Sequence, residues 1–445
     1  MKTDTPSWGI EPVPERLRVL GGLDMGLLWG NLGVSLLVLV AASFLVPALS
    51  LPQALVAIVV GALIGNLMLA AAGGIGADAR VPAMVLLRAP LGRRGSYLPT
   101  VLNVAQCLGW AIFELIIIAA AVGALSDELF GFEGRAVWTI LFGVVAGTLA
   151  LMGPVGFVRR FVRRFALWAV LGSLIYLSWW AVDGAQLSSL WHADGEGGSS
   201  ILLGIDLVVA ITVTWIPLAA DYTRFARTRS GAFLGTFTGY LVPSLWMFGL
   251  GALLVLGRGV SDPVQIPAAV AAAGVASALA LLAVTVDETD EAFANTYSAA
   301  VSLQNLFPRV PQRLLVVVVS LVATVGALTI ELRSYEAFLL MLGSFFVPLF
   351  GVLLADWLLA GMRYTTRDIF HGPAFRPELI ASWLIGFALY QWLHPTGPNW
   401  WIELADRANA GELAIGATLP SFLAAFLLAA GLGALSGRQA PVGAR

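Results

Sequence analysis

Twelve apolar segments make up most of the chain, and no other feature limits its fold as strongly. About 20 apolar residues are what an α-helix needs to cross the hydrocarbon core of a bilayer. We number these segments spans one to twelve, and they cover residues 22–48, 52–74, 97–125, 136–155, 165–183, 201–220, 233–257, 272–300, 313–331, 335–360, 377–394 and 412–436. Only 12% of the residues are charged, against about 25% in soluble proteins. The sequence therefore predicts an all-α polytopic membrane protein with about 12 transmembrane helices.

The Lys and Arg residues indicate which ends of the spans face the cytoplasm, because short cytoplasmic loops are enriched in both. With the N-terminus inside and the spans alternating in direction, 21 of the 25 Lys and Arg residues fall on the cytoplasmic side. The exceptions are Arg135, Arg258, Arg333 and Arg407. This asymmetry predicts cytoplasmic termini in a cell (inner) membrane. It also favours a membrane anchor over a nucleic-acid site for the basic run FVRRFVRR at 157–164.

Cysteine and histidine are scarce. Cys107 is the one cysteine, and the three histidines lie far apart near helix ends. An internal disulfide is therefore excluded, and no Cys/His cluster has the spacing of a metal site. We expect no cofactor, no enzymatic activity and no obligatory protein partner beyond the lipid bilayer.

Span eight carries four carboxylates within five residues, namely Asp287, Glu288, Asp290 and Glu291. An ionised group at the bilayer centre costs about 2.5 to 3.5 kcal/mol on insertion scales, so such groups usually mark a functional site. A loop between two helices would be an ordinary alternative, but no Gly or Pro interrupts residues 276–307. We predict an intramembrane site whose carboxylates cannot all be ionised together, so that a sodium ion or protons must balance them.

Two spans carry residues that interrupt a helix. Span one contains Trp29, Gly30 and Asn31 in the run WGNLG, and span six has Trp215 and Pro217 near its middle. Unwound backbone at mid-bilayer can hold a cation, and the helix ends beside it can face a substrate. For span one, close helix packing through small residues is the alternative. The matching positions of the two interruptions favour two five-helix repeats followed by two further helices.

This reasoning divides the chain into five parts. Residues 1–21 form a cytoplasmic N-terminal segment, and residues 22–183 form the first five-helix repeat. Residues 201–360 form the second, inverted repeat. Residues 377–436 supply two additional transmembrane helices, and residues 437–445 form a cytoplasmic tail.

Span three places Gln106, Trp110 and Glu114 one helical turn apart on the same face. An indole can cover the face of a flat ring while a carboxylate and an amide pair with the ring's edge. The span contains no Lys or Arg, so a structural ion pair is a poor explanation for Glu114. The pattern predicts a site for a flat, hydrogen-bonding ring.

With these residues in place, the chain resembles the nucleobase:cation symporter family, which contains cytosine permeases, allantoin permeases and hydantoin transporters. The resemblance extends from about residue 21 to residue 359 and rests on WGNLG, GALIGNLMLA, RAPLGRRGSYLP, QCLGW, AADYTRFAR and GSFFVPLFGVLLADWLL. Within the family the chain is most similar to the hydroxymethylpyrimidine permease branch, which supplies a thiamine precursor. The resemblance implies the five-plus-five inverted repeat of the sodium-coupled amino-acid transporters, with substrate held between spans one, three, six and eight.

The residues and the resemblance together give a candidate site. The expected substrate-binding residues are Trp29, Gln106, Trp110, Glu114, Thr212, Trp215, Glu291 and Asn295. The expected cation-coupling residues are Gly30, Asn31, Val286, Asp287, Thr289 and Asp290, of which Val286, Thr289 and Asp290 would hold Na⁺. Two positions depart from the family: Glu114 stands where hydantoin transporters carry glutamine, and Asp290 replaces a hydroxyl residue.

Both departures add negative charge and favour a ring with an exocyclic amine, because a carboxylate accepts hydrogen bonds from an amine. We expect a symporter that imports a small aminopyrimidine, either a hydroxymethylpyrimidine-like thiamine precursor or a cytosine-like nucleobase. Family precedent favours Na⁺ as the coupling ion, and the carboxylate cluster favours H⁺. The alternatives are a transporter of another nucleobase-like ring, such as a purine, hydantoin or allantoin, and an amino-acid/cation symporter of the same fold.

Overall fold

The computed structural model describes residues 9–158, 162, 167–259, 274–330, 335–408, 413 and 415–436. Most of the predicted basic anchor at 157–164, the first eight residues and the tail at 437–445 lie outside the described residues. Within the described part the regular elements are helices. The α-helices are α1 (Gly22–Leu32), α2 (Leu36–Ala41), α3 (Leu51–Ala79), α4 (Ala83–Leu86), α5 (Arg88–Leu91), α6 (Tyr97–Phe130), α7 (Arg135–Phe157), α8 (Leu167–Val182), α9 (Leu187–His192), α10 (Ile201–Val213), α11 (Ile216–Thr223), α12 (Arg229–Arg258), α13 (Val275–Asp287), α14 (Thr289–Leu306), α15 (Gln312–Thr329), α16 (Tyr335–Leu359), α17 (Thr366–Phe370), α18 (Pro377–Leu393), α19 (Asn399–Asp406) and α20 (Thr418–Leu435).

Each of the twelve predicted spans contains helix. Among the described residues, eight helical segments are long and apolar enough to cross a membrane. The remaining four spans are span one and span eight, each built from two helices, and spans five and eleven, which form α8 and α18 of 16 and 17 residues. In span twelve, predicted to begin near residue 412, the helix α20 begins at Thr418.

Span one is interrupted between α1 and α2, at residues 33–35. The interruption therefore follows Trp29 by one helical turn. A Cβ atom at Gly33 would lie 2.5 Å from Cγ of Pro243 on α12, so only glycine fits this close approach. The predicted break is present, and it lies at the C-terminal end of the glycine-rich motif.

The other glycines of α1 serve close helix packing. They face glycines of α12 at four-residue spacing: Gly22 opposite Gly231, Gly26 opposite Gly235 and Gly30 opposite Gly239. A Cβ atom at Gly235 would lie 2.5 Å from the carbonyl oxygen of Gly22. Both interpretations of the motif therefore apply, with packing along α1 and an interruption after it.

Span six is interrupted at Thr214 and Trp215, between α10 and α11, as the sequence predicts. The N–H groups of these two residues donate to carbonyls three residues back, at 3.4 and 3.3 Å. Span eight is almost continuous, because Glu288 alone separates α13 from α14 and its N–H still donates to Val284 O at 2.9 Å. The carboxylates therefore lie within a helix, and the loop alternative is wrong.

The polar helix α14 lies at the centre of the bundle. All but two of its 18 residues are buried. By contrast, α15 and α20 bury only 33% and 28% of their most apolar stretch, so their exposed apolar residues face lipid. Span eight can carry four carboxylates because all four side chains are buried within the protein.

Four further aspartates hold helix ends together. Asp24 accepts the Gly21 N–H at 2.9 Å, and Asp221 accepts the Ala83 N–H at 2.9 Å. Asp206 accepts the N–H groups of Ala417 and Thr418 at the start of α20, at 3.1 and 2.9 Å. Asp356 forms a buried ion pair with Arg376 at 2.6 Å. Three of these carboxylates cap backbone N–H groups near helix ends, and the fourth forms an ion pair.

Candidate functional site

A cavity lies where spans one, three, six, seven and eight meet, with about 350 Å³ of space between its atoms. Both helix interruptions border it, because Ser35 follows α1 and Trp215 precedes α11. Its polar and aromatic lining includes Ser35, Trp110, Glu114, Trp215, Glu291 and Asn295. Five of the eight residues expected to bind substrate therefore converge on one cavity.

The remaining three expected residues lie outside this lining. Trp29 is fully buried. Its ring centroid is 6.0 Å from that of Trp215 and 6.2 Å from that of Tyr240, both edge to face. Trp29 therefore supports two lining residues from behind.

Gln106 and Thr212 contact backbone and neighbouring helices. Gln106 Nε2 donates to the carbonyl oxygen of Thr214 at 2.7 Å, so this amide satisfies a backbone group at the interruption of span six. Thr212 faces α3, where a Cβ atom at Gly65 would lie 2.8 Å from Thr212 Cβ. Both residues help to position span six beside the cavity.

One end of the cavity is rich in hydrogen-bond acceptors. Asn295 Nδ2 donates to the two carboxyl oxygens of Glu114 at 3.2 and 3.4 Å. Glu114 and Glu291 both line this end of the cavity. Glu114 is 1% exposed and Glu291 is 4% exposed, and within the described chain neither forms an ion pair with a Lys, Arg or His side chain. This end of the cavity suits a ligand that brings hydrogen-bond donors or positive charge.

A second group of carboxylates joins α1 to span eight. Asn31 Nδ2 donates to Asp287 Oδ1 at 2.9 Å and to Asp290 Oδ2 at 2.6 Å. The other carboxyl oxygens, Asp287 Oδ2 and Asp290 Oδ1, are buried and accept no hydrogen bond from the residues that the structure describes. Buried acceptors of this kind are stabilised by a cation or a proton.

The remaining expected cation-coupling residues are placed as follows. Thr289 is buried beside Asp290, and Gly30 packs against Gly239. The side chain of Val286 lies outside the described residues. Where the chain is described, no three His, Cys, Asp or Glu residues are arranged to hold a metal ion. The Na⁺ ligand set Val286, Thr289 and Asp290 remains a prediction.

Glu288 is not among the residues that the sequence predicts to bind substrate or cation. This fully buried residue accepts the Ser35 hydroxyl at Oε1, at 3.0 Å, and the Leu36 N–H at Oε2, at 2.8 Å. The first N–H groups of a helix have no partner within it. The interruption of span one therefore calls for an acceptor at the start of α2, and this signal could have found Glu288. No such signal exists for Tyr240, which α12 contributes to the lining.

Comparisons with known proteins agree with this geometry. A family model described as permease for cytosine/purines, uracil, thiamine, allantoin matches residues 12–372. A hydantoin permease of Microbacterium maritypicum is 25% identical over 383 residues, which cover 79% of this chain and 77% of the relative. A cytosine permease of Escherichia coli O157:H7 is 26% identical over 319 residues, which cover 68% of this chain and 72% of the relative.

The fold has a close counterpart among solved structures. A nucleobase-cation-symport-1 family transporter, in a closed conformation with bromovinylhydantoin bound, has a TM-score of 0.81 at 19% identity, covering 99% of this chain and 98% of that chain. This likeness confirms the predicted polytopic fold with a five-plus-five inverted repeat, as in sodium-coupled amino-acid transporters, and two extra C-terminal helices. The matched family and relatives are permeases, which confirms the prediction of a membrane transporter rather than an enzyme. The chain therefore belongs to the family of permeases for cytosine/purines, uracil, thiamine and allantoin.

Proposed function

We propose that this permease is a secondary symporter that imports a small aminopyrimidine by alternating access. The observation that carries the proposal is the acceptor-rich end of the cavity, where Glu114, Glu291 and Asn295 adjoin Trp110. In this arrangement the indole of Trp110 covers the face of the ring, and Glu114 with Asn295 pairs with its edge. A hydroxymethylpyrimidine-like thiamine precursor or a cytosine-like nucleobase presents such an edge.

The two carboxyl groups favour an amine over a carbonyl. A hydrogen bond to a charged group contributes about 1.5 to 3 kcal/mol, against about 0.5 to 1.5 kcal/mol for a neutral pair. An exocyclic amine beside a protonated ring nitrogen would gain the larger contribution at Glu114. Uracil and hydantoin present more carbonyl oxygens, which two carboxylates would repel.

The run Asp287, Glu288, Asp290 and Glu291 of span eight is here called the acidic turn. In this proposal the coupling ion binds at Asp287 and Asp290, and the ring binds beside Glu291. Two buried oxygens there accept no hydrogen bond within the described part of the chain, and they support binding of one positive charge, either Na⁺ or H⁺. Because Asn31 joins these carboxylates to α1, ion binding and substrate binding involve the same interrupted span. Each ligand should therefore raise the affinity for the other. The topology proposed with this function is a cell (inner) membrane protein with both termini in the cytoplasm.

An amino-acid substrate has less support. The Leu36 N–H and the Ser35 hydroxyl are polar donors at the cavity, and both are bonded to Glu288. A substrate carboxylate would also meet Glu114 and Glu291, which carry the same charge. These contacts favour a ring with donor groups over an amino acid.

A competition panel tests the proposal. Purified protein in proteoliposomes is supplied with labelled hydroxymethylpyrimidine, and unlabelled aminopyrimidines, uracil, hydantoin, purines and amino acids are added in turn. We expect other aminopyrimidines to compete and uracil, hydantoin and amino acids to leave uptake unchanged. Competition by uracil or hydantoin without competition by aminopyrimidines would assign the cavity to another ring, and competition by amino acids would support the other symporter class.

A further inference from the structure

The acidic turn of span eight holds span one on both sides of its interruption. On the α1 side, Asn31 Nδ2 donates to Asp287 at 2.9 Å and to Asp290 at 2.6 Å. On the α2 side, Glu288 accepts from Ser35 at 3.0 Å. The interruption at residues 33–35 lies between these two sets of contacts.

The Glu288 carboxylate binds α2 through both of its oxygens. Oε1 accepts the Ser35 hydroxyl, and Oε2 accepts the backbone N–H of Leu36, the first residue of α2, at 2.8 Å. The side chain is fully buried, so water cannot replace it as an acceptor. α2 is six residues long, and so short a helix depends on tertiary contacts for its position.

The residues held by Glu288 form one wall of the cavity. Ser35 and Val38 both line it, opposite Trp110 and Glu114 of span three. Val38 is 4% exposed. A displacement of α2 would therefore open this wall while α1 stays anchored through Asn31 and its glycine contacts with α12.

We propose that Glu288 is a positioning residue that fixes α2 against span eight and thereby sets the cavity wall at Ser35 and Val38. It acts through these residues and does not touch the ring. The proposal relies on the proposed function only for the identity of the ring that the wall encloses. Glu288 is thus distinct from Glu114 and Glu291, which face the cavity itself.

Thiol labelling at the cavity wall tests this role. Val38→Cys introduces a reactive group there, and the native Cys107 is fully buried, so its background should be low. In this background we expect Glu288→Ala to raise the labelling rate about tenfold, as loss of a charge-assisted hydrogen bond shifts a local opening equilibrium. Glu288→Gln keeps a carbonyl acceptor and should stay near the parental rate.

Asp206 supplies a matched control, because its carboxylate accepts the first N–H groups of α20 in the same manner and does not line the cavity. Asp206→Ala should leave the labelling rate unchanged. Ser35→Ala should raise labelling in the parental protein and add little in Glu288→Ala, because the two changes remove the same contact. If Glu288→Ala fails to fold, Glu288→Gln combined with Ser35→Ala replaces it, with an expected rise of several-fold.

An unchanged labelling rate in Glu288→Ala, or in the Glu288→Gln and Ser35→Ala double variant that replaces it, would overturn the proposal, as would an equal rise in Asp206→Ala. Labelling is measured without substrate, so the result does not depend on which ring is transported. A second readout is uptake kinetics, in which Glu288→Ala should raise KM for hydroxymethylpyrimidine about tenfold with a smaller change in kcat. If Glu288→Ala raises the labelling rate but the wild-type protein takes up no aminopyrimidine, the proposed function is refuted and the positioning role stands.

Discussion

Replacing Glu114 by Gln separates charge from shape at the centre of the site. The variant keeps the length of the side chain and one carbonyl oxygen, and it replaces the second oxygen with an NH₂ donor. In the wild type, Asn295 Nδ2 donates to the two oxygens at 3.2 and 3.4 Å. Glu114 is 1% exposed, so water cannot restore an acceptor that the substitution removes.

The expected loss follows from the hydrogen bonds that change. A neutral acceptor contributes about 1 kcal/mol less than a charged one, and a buried donor left without a partner costs about 1 to 3 kcal/mol. Together the two contributions are about 2 to 4 kcal/mol, so aminopyrimidine binding should weaken about 30- to 900-fold. Rings rich in carbonyls, such as uracil or hydantoin, should bind as well as before or better, because the new NH₂ group can donate to them.

Equilibrium binding of labelled hydroxymethylpyrimidine to the purified protein measures this change. Asp206→Asn is the control, because it alters a buried carboxylate that does not line the cavity and should leave the Kd unchanged. An unchanged aminopyrimidine Kd in Glu114→Gln would refute the charge-assisted pair, whatever happens to the other rings.

Three further predictions use the same protein. Trp110→Ala should weaken binding of every ring about tenfold, because stacking is lost, whereas Trp110→Phe should retain most of the affinity in the same assay; equal affinities in both would exclude stacking. Asp290→Asn should abolish the stimulation of uptake by the coupling cation while substrate exchange continues, and full stimulation would place the ion elsewhere. Gly235→Val should destabilise the protein by about 1 to 3 kcal/mol through overpacking against α1. A lower melting temperature than that of Gly249→Val would show this, since no atom of the described residues lies within 4 Å of a Cβ at Gly249.

The membrane architecture was predictable because its signals are local. The length of each apolar segment predicts a transmembrane span. The residues around Gly33 and Pro217 predict the two helix interruptions without knowledge of the neighbouring helices. The spacing of Trp110 and Glu114 likewise places both on one helical face, and the structure places both in the cavity lining. These features depend on helix geometry, which a single segment determines.

The partners of freed backbone groups could not be predicted in this way. An interruption shows that donors and acceptors must be satisfied, and packing decides which side chains do it. Gln106 has the right chemistry for a ring edge, yet it bonds to Thr214 O at the interruption of span six. At the start of α2, Glu288 likewise satisfies a backbone group, because it accepts the Leu36 N–H. Trp29 is adjacent to the interruption of span one but lies behind the lining, because α1 turns that face toward other aromatic rings.

Uptake driven by separately imposed gradients tests most directly whether ring and cation move together through this site. Proteoliposomes are loaded so that either an inward Na⁺ gradient or an inward proton gradient is present, and the initial rate of hydroxymethylpyrimidine uptake is compared with that in the absence of a gradient. We predict that one of the two gradients accelerates uptake and drives accumulation above equilibrium. Uptake that responds to neither gradient, or that only equilibrates the ring across the membrane, would contradict symport.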